Sequence, residues 1–202
     1  MSEADNPVLE NEQRYRASAY AMLAALLRDV PDQALLDYVS GLEIDDSEID
    51  EDDELGAAMN ELARAARDQD ATALREEYND LFIGLGRGEV VPFGSWYLTG
   101  FLMEQPLSDL RDDLRVLGFE RTEGTSEPED HAAAIFEVFS VMISDALDLS
   151  RQLQFFNLHM RPWLERFFED LGKARSASFY RPVAQFGAAF IQQESAYLSM
   201  RS

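Results

Sequence analysis

Apolar residues recur at helical spacing along most of this chain, and this pattern limits the possible folds more than any other feature. The first apolar stripe consists of Tyr15, Ala19, Met22, Leu23, Leu26 and Leu27. Steps of three and four residues place these side chains on one face of a helix, which Val30-Pro31 is expected to end. No segment shows sustained apolar–polar alternation between hairpin turns. We therefore predict an all-α protein, with residues 1–202 forming a single helical-bundle domain.

The same spacing predicts the remaining helices. They cover Leu35–Val39, Leu55–Arg67, Ala71–Phe82, Trp96–Met103, Pro106–Leu117, Ser126–Leu149, Leu149–Leu158, Pro162–Leu171 and Phe179–Leu198. Gly118 is a predicted C-cap, because glycine readily adopts the left-handed conformation there. Ser126 and Glu129 have the spacing of a capping box at the start of a long helix. Gly84–Gly88 and Gly172–Ser178 are predicted loops.

The chain is strongly acidic, with 39 Asp and Glu against 17 Lys and Arg and a net charge of −22. Such a charge repels nucleic acids and anionic lipid surfaces and attracts basic partners. Nine of the twelve residues from Glu43 to Glu54 are acidic. Because like charges at this density disfavour compact structure, we predict a solvated acidic loop at about residues 43–54.

Cysteine is absent, which excludes disulfides, thiolate metal sites and cysteine nucleophiles. The segment Met1–Glu12 lacks the basic and apolar regions of a secretory signal. No apolar run approaches the roughly 18–20 residues that span a bilayer. We therefore expect a cytoplasmic protein without an integral membrane segment.

Few residues suit catalysis. His131 and His159 are the two histidines, and neither follows a glutamate by three residues as a di-iron bundle requires. The Gly84–Gly88 loop is rich in glycine but lacks the lysine of a phosphate-binding loop. We therefore expect no enzyme, no metal site and no catalytic residues. The alternative is a helical enzyme or nucleotide hydrolase that uses this loop.

Aromatic residues in the middle of the chain indicate a recognition surface. Tyr78, Leu81 and Phe82 have i, i+3, i+4 spacing, and Val91–Tyr97 adds further aromatics. If exposed and rimmed by acids, they would suit a peptide that is basic at one end and apolar beyond. Alternatively, these side chains cap the core. A further hypothesis is a generic adaptor that binds basic segments through Glu43–Glu54.

Four motifs occur in the order found in one protein family. They are Tyr78-Asn79-Asp80-Leu81-Phe82-Ile83-Gly84, Pro92-Phe93-Gly94-Ser95-Trp96-Tyr97, Glu127-Pro128-Glu129-Asp130-His131 and His159-Met160-Arg161-Pro162-Trp163. With them, the chain resembles the TorD/DmsD/NarJ family of cytoplasmic redox-enzyme maturation chaperones. The resemblance spans about residues 78–180. One departure is Leu85, where the family often has proline.

The resemblance implies an all-helical chaperone that binds the twin-arginine signal peptide, or the apo form, of a molybdoenzyme subunit. Such a chaperone assists cofactor insertion and prevents premature export. The implied peptide-binding residues are Tyr78, Leu81, Phe82, Pro92, Ser95, Trp96, Glu127, Asp130 and His131. Asp130 would pair with an arginine, while Ser95 and His131 would bond the peptide backbone. No cofactor is expected, although guanine nucleotide binding is attributed to some members; the client enzyme and the oligomeric state stay open.

Overall fold

A computed structural model describes residues 7–45, 49–50, 52–67, 69–84, 87–120 and 127–201, with side chains from residue 10 onward. The described residues form the ten helices α1 Pro7–Arg28, α2 Gln33–Ser40, α3 Glu54–Arg67, α4 Ala71–Tyr78, α5 Gly94–Thr99, α6 Gln105–Leu117, α7 Ala132–Ser144, α8 Leu149–Phe155, α9 Leu164–Lys173 and α10 Tyr180–Met200. Asn79–Ile83 continues α4 as a π-helical turn, and Phe156–Met160 does the same after α8. The predicted all-α fold is confirmed.

Local sequence explains several helix ends. Asp32 and Asp70 are N-caps whose carboxylates accept hydrogen bonds from the first backbone amides of α2 and α4. Gly118 ends α6 with a φ of 84°, which confirms the predicted C-cap. Within the described ranges there is no β-strand, and the one β-type pairing is an isolated bridge between Phe93 and His131.

The core is assembled from long helix pairs. Helix α1 packs along α7, and α10 packs against both α9 and α3. At the centre, the Tyr20 ring meets the rings of Phe139 and Phe190 edge-on, with centroids 4.8 and 4.7 Å away. Gly187 of α10 faces the Phe168 ring so closely that a Cβ would lie 2.2 Å from it. Glycine therefore allows α10 to approach α9.

A buried ion pair joins the first helix to the last. Arg16 donates from Nε and Nη2 to the two carboxylate oxygens of Glu194 at 2.7 and 2.8 Å. Gln152 accepts a further bond from Arg16 at 3.0 Å, and the Tyr20 hydroxyl donates to Glu194 at 3.2 Å. These partners compensate both charges for the loss of water.

The long helix predicted from Ser126 begins later. Residues Glu127–His131 are not helical, and α7 starts at Ala132. Its N-cap is His131, whose Nδ1 accepts a hydrogen bond from the amide of Ala133 at 3.1 Å. Ser126, and with it the proposed capping box, lies outside the described residues. The helix start was therefore misplaced, because histidine is an uncommon N-cap.

Other helix limits also differ from expectation, and α7 ends at Ser144 rather than at the predicted Leu149. Helix α5 ends at Thr99 because Gly100 adopts a left-handed φ of 82°, so Phe101–Met103 are not helical as predicted. Conversely, α9 continues through Gly172 to Lys173, so the predicted loop begins after these residues. In the predicted Gly84–Gly88 loop, Leu85 and Gly86 lie outside the described residues. The same holds for residues 46–48 and 51 of the acidic loop.

Among the helices that the structure describes, none combines the length and the apolar character needed to cross a bilayer.

Candidate functional site

Asp130 connects the starts of α5 and α7. Its backbone carbonyl accepts a hydrogen bond from the amide of Gly94 at 2.9 Å, and its Oδ2 accepts one from the amide of Ser95 at 2.8 Å. Two residues further on, the amide of Ala132 donates to the carbonyl of Pro92 at 2.8 Å. The motif around Pro92 and the motif around Asp130 therefore form one structural unit.

Two polar atoms in this unit have no hydrogen-bond partner. They are Ser95 Oγ and Asp130 Oδ1, on residues that are only 0% and 3% exposed. Buried polar atoms are nearly always paired, because an unpaired one forfeits its hydrogen bonds to water. Both atoms can therefore accept hydrogen bonds from donors outside the described chain.

Both residues line a cavity of about 370 Å³ between α5 and α6. Its wall consists of Gly94, Ser95, Leu98, Pro106, Asp109, Leu110, Asp113, Asp130, Ile135, Leu158, His159 and Trp163. Three of these residues are aspartates, and no lysine or arginine is among the residues described as lining it. The cavity is therefore suited to a cationic group that carries several N–H donors.

Asp109 and Asp113 of α6 were not singled out by the sequence motifs. They are four residues apart, so they share a helix face. Asp109 accepts a hydrogen bond from Gln105 at 2.7 Å, and Asp113 is paired with His159 Nε2 at 2.6 Å. Their i, i+4 spacing is the one sequence feature that could have indicated a shared site. In so acidic a chain, however, the same spacing is equally typical of a solvated helix face.

His159 lines the same cavity as Ser95. It is buried, as the interpretation of a core histidine expected, and its carbonyl accepts a hydrogen bond from Trp163 Nε1 at 2.7 Å. Because the ring is also paired with Asp113, the π-helical turn that carries His159 is tied to α6. This histidine was missed as a site residue.

His131 lies apart from the cavity lining. Burial, with a smaller contribution from the positive charge of Arg28, lowers the pKa of His131 to about 4. Its ring meets Phe93 edge-on with centroids 5.0 Å apart. At neutral pH this histidine is therefore an uncharged cap of α7.

The remaining predicted residues fall into two groups. Tyr78, Leu81 and Pro92 are buried, and Phe82 is half-buried against Tyr180, with ring centroids 5.1 Å apart. Their placement agrees with the interpretation that these side chains cap the core.

Trp96 and Glu127 are accessible. The guanidinium of Arg87 lies 4.7 Å from the centroid of the half-buried Trp96 ring. Glu127 is exposed in a separate groove beside α7. Of the nine predicted residues, Ser95 and Asp130 are therefore the two that line the cavity.

No cluster of three or more metal-ligating side chains was found in the described ranges.

Comparison with known proteins identifies the family to which this chain belongs. The family model described as "Nitrate reductase delta subunit" matches residues 48–169, more than half of the 202-residue chain. The chain belongs to this family. The four sequence motifs all lie within the matched residues, and the predicted TorD/DmsD/NarJ membership is confirmed.

Individual relatives agree. The chain is 29% identical over 200 residues to "Chaperone protein TorD" of Vibrio cholerae serotype O1 (El Tor Inaba N16961), covering 89% of this chain and 90% of the relative. It is 27% identical over 158 residues to "Chaperone protein TorD" of Vibrio parahaemolyticus serotype O3:K6, covering 72% and 73%. This family member is therefore assigned to chaperones rather than enzymes.

A solved structure has the same fold. It is described as "A Putative Redox Enzyme Maturation Protein From Archaeoglobus Fulgidus", with a TM-score of 0.57 and 22% identity. The match covers 87% of this chain and 92% of the other. At this identity the likeness concerns the fold alone.

Proposed function

We propose that this family member is a maturation chaperone that binds the twin-arginine signal peptide of a molybdoenzyme precursor in the cytoplasm. By holding the precursor, it assists cofactor insertion and prevents premature export. The observation that carries the proposal is the pair of unpartnered buried atoms, Asp130 Oδ1 and Ser95 Oγ, in an acid-lined cavity. The cavity takes one arginine side chain of the peptide.

The chemistry of guanidinium matches this cavity. Arginine presents five N–H donors in a planar fork and has no acceptor. Asp130 Oδ1 and Ser95 Oγ are acceptors that the fold leaves unused, so an arginine would pair them without breaking an existing hydrogen bond. Asp109 and Asp113 add negative charge to the same cavity.

The other predicted residues have supporting or peripheral roles in this proposal. Pro92 and His131 hold Asp130 in place from within the fold, while Tyr78, Leu81 and Phe82 pack in and against the core. Trp96 and Glu127 are accessible enough to contact the peptide beyond its arginine. The net charge of −22 favours the approach of a basic leader.

The test is calorimetric titration of a synthetic twin-arginine leader into the wild type and Asp130→Asn. Asparagine keeps an oxygen that accepts the hydrogen bond from the Ser95 amide, so the connection between α5 and α7 is retained. Loss of the charge is expected to weaken binding by about 1.5–3 kcal/mol, roughly 10- to 150-fold. The matched control is Asp145→Asn, an exposed carboxylate at the end of α7 that should bind as wild type.

Twin-lysine and scrambled leaders of equal charge complete the experiment. Binding lost on scrambling supports recognition of the leader sequence. Equal affinity for all three peptides would indicate the generic acidic adaptor instead. If Asp130→Asn folds and binds the leader with unchanged affinity, the arginine does not bind in this cavity. If the wild type binds none of a panel of leaders, the proposed function is refuted.

A further inference from the structure

Large apolar side chains that are close together in the sequence are exposed where α5 leads into α6. Leu98, Phe101, Leu102 and Met103 are 41%, 67%, 46% and 72% exposed, and we name these four residues the apolar rim. Isolated exposed apolar residues are common on soluble proteins, whereas a contiguous set marks an interaction surface.

The apolar rim continues into the acid-lined cavity. Leu98 belongs to both, since it lines the cavity beside Ser95 and is also exposed. Leu158, another exposed apolar residue, lines the same cavity from the segment after α8. Exposed apolar surface therefore borders the cavity.

The backbone holds the apolar rim in an unusual conformation. Gly100 and Met103 have φ values of 82° and 59°, so left-handed residues bracket Phe101 and Leu102. Positive φ is unfavourable for methionine and persists where the surrounding structure imposes it, often at binding sites. The Thr99 hydroxyl lies 3.2 Å from both the amide and the carbonyl oxygen of Phe101, which fixes the turn.

We propose that the apolar rim binds apolar side chains of the same peptide whose arginine occupies the cavity. This inference rests on the proposed function and deepens it. The acidic cavity selects a cation, and the apolar surface beside it selects a neighbouring apolar residue, so the combined surface is complementary to a peptide that carries both. Tyr78 and Leu81, the apolar residues that the sequence motifs suggested, are buried and leave this role to the apolar rim.

The test compares the wild type and two variants, each with two peptides. The double variant Phe101→Ser/Leu102→Ser removes two exposed side chains and should leave the fold intact. Its matched control is Val116→Ser, which removes the 83% exposed Val116 side chain of α6. The peptides are a twin-arginine leader and a version with serines in place of the apolar residues that follow the arginines.

The double variant should bind the authentic leader at least about tenfold more weakly than the wild type, because the apolar side chains of the peptide then stay exposed to water. It should bind the serine peptide as the wild type does, and Val116→Ser should bind both peptides normally. If the double variant binds the leader normally while Asp130→Asn does not, the binding role of the apolar rim is refuted and the proposed function stands.

Two other outcomes also decide the matter. A leader that does not bind the wild type refutes both proposals. Sedimentation is measured in parallel: a dimer that dissociates in the double variant without any change in leader affinity would assign the apolar rim to a second copy of the chain and overturn the inference.

Discussion

Asp130 and Ser95 share one hydrogen bond and leave one polar atom each without a partner. The bond joins Asp130 Oδ2 to the Ser95 amide at 2.8 Å, whereas Asp130 Oδ1 and Ser95 Oγ are unpaired in the cavity. One atom of each residue therefore serves the fold, and another is available to a ligand. Since the two functions use different atoms, substitutions can separate them.

The first prediction concerns Ser95→Ala. Its hydroxyl makes no hydrogen bond, so removing it should leave the free energy of unfolding within about 0.5 kcal/mol of the wild type, or raise it. Leader affinity should fall roughly tenfold if Ser95 Oγ accepts from the arginine. Denaturant unfolding and calorimetry measure the two effects.

Ser140→Ala is the matched control. The Ser140 hydroxyl donates to the carbonyl of Ala17 at 2.8 Å, away from the cavity. This variant should lose about 1 kcal/mol of stability and bind the leader normally. A Ser95→Ala protein that is destabilised yet binds normally would show that the hydroxyl has a structural role instead.

The second prediction concerns pH. The folded protein holds the pKa of His131 at about 4, below the ordinary value of 6.5, because burial disfavours the charged ring. Between these values the unfolded chain binds the proton and the folded protein does not. Stability is therefore fully present above pH 6.5 and falls as the pH drops towards 4, by about 3 kcal/mol from this group.

His131→Asn tests this assignment. Asparagine is a good N-cap, so α7 keeps its start, but the titrating group is gone. Urea unfolding at a series of pH values should give a flatter stability profile between pH 6.5 and 4 for the variant. An unchanged slope would mean that other groups cause the dependence.

The third prediction concerns the buried ion pair. Arg16→Gln leaves the carboxylate of Glu194 buried without its charged partner, which should cost about 3–5 kcal/mol of stability. The control is Arg151→Gln, whose exposed partner Asp148 lies 3.6 Å away and whose loss should cost at most about 1 kcal/mol. Thermal and denaturant unfolding give both values. Similar losses of stability in the two variants would contradict the distinction between a buried and an exposed ion pair.

Helices were predictable from sequence where one periodic face is buried, as in α1 and α3. Their ends were predictable where the residue type forces the backbone, as at Gly118. The start of α7 was not, because His131 caps it through a ring nitrogen that depends on burial against Phe93. The end of α5 at Gly100 was also missed, since a single glycine inside a helical pattern does not by itself indicate a stop.

The site was predictable in part. Ser95 and Asp130 follow from the motifs, but they are 35 positions apart in the sequence, so their direct contact could not be predicted from it. Asp109 and Asp113 were missed because acidic residues on a helix are usually solvated. Only the folded chain shows that α6 turns these two side chains towards the cavity.

The Arg16–Glu194 pair joins positions 178 residues apart in the chain. During synthesis on the ribosome, α1 therefore emerges long before the carboxylate that neutralises its buried arginine. Until α10 is made, burial of Arg16 is unfavourable because its carboxylate partner is absent. Completion of this chaperone's own fold is thus postponed until nearly all of the described chain has been translated.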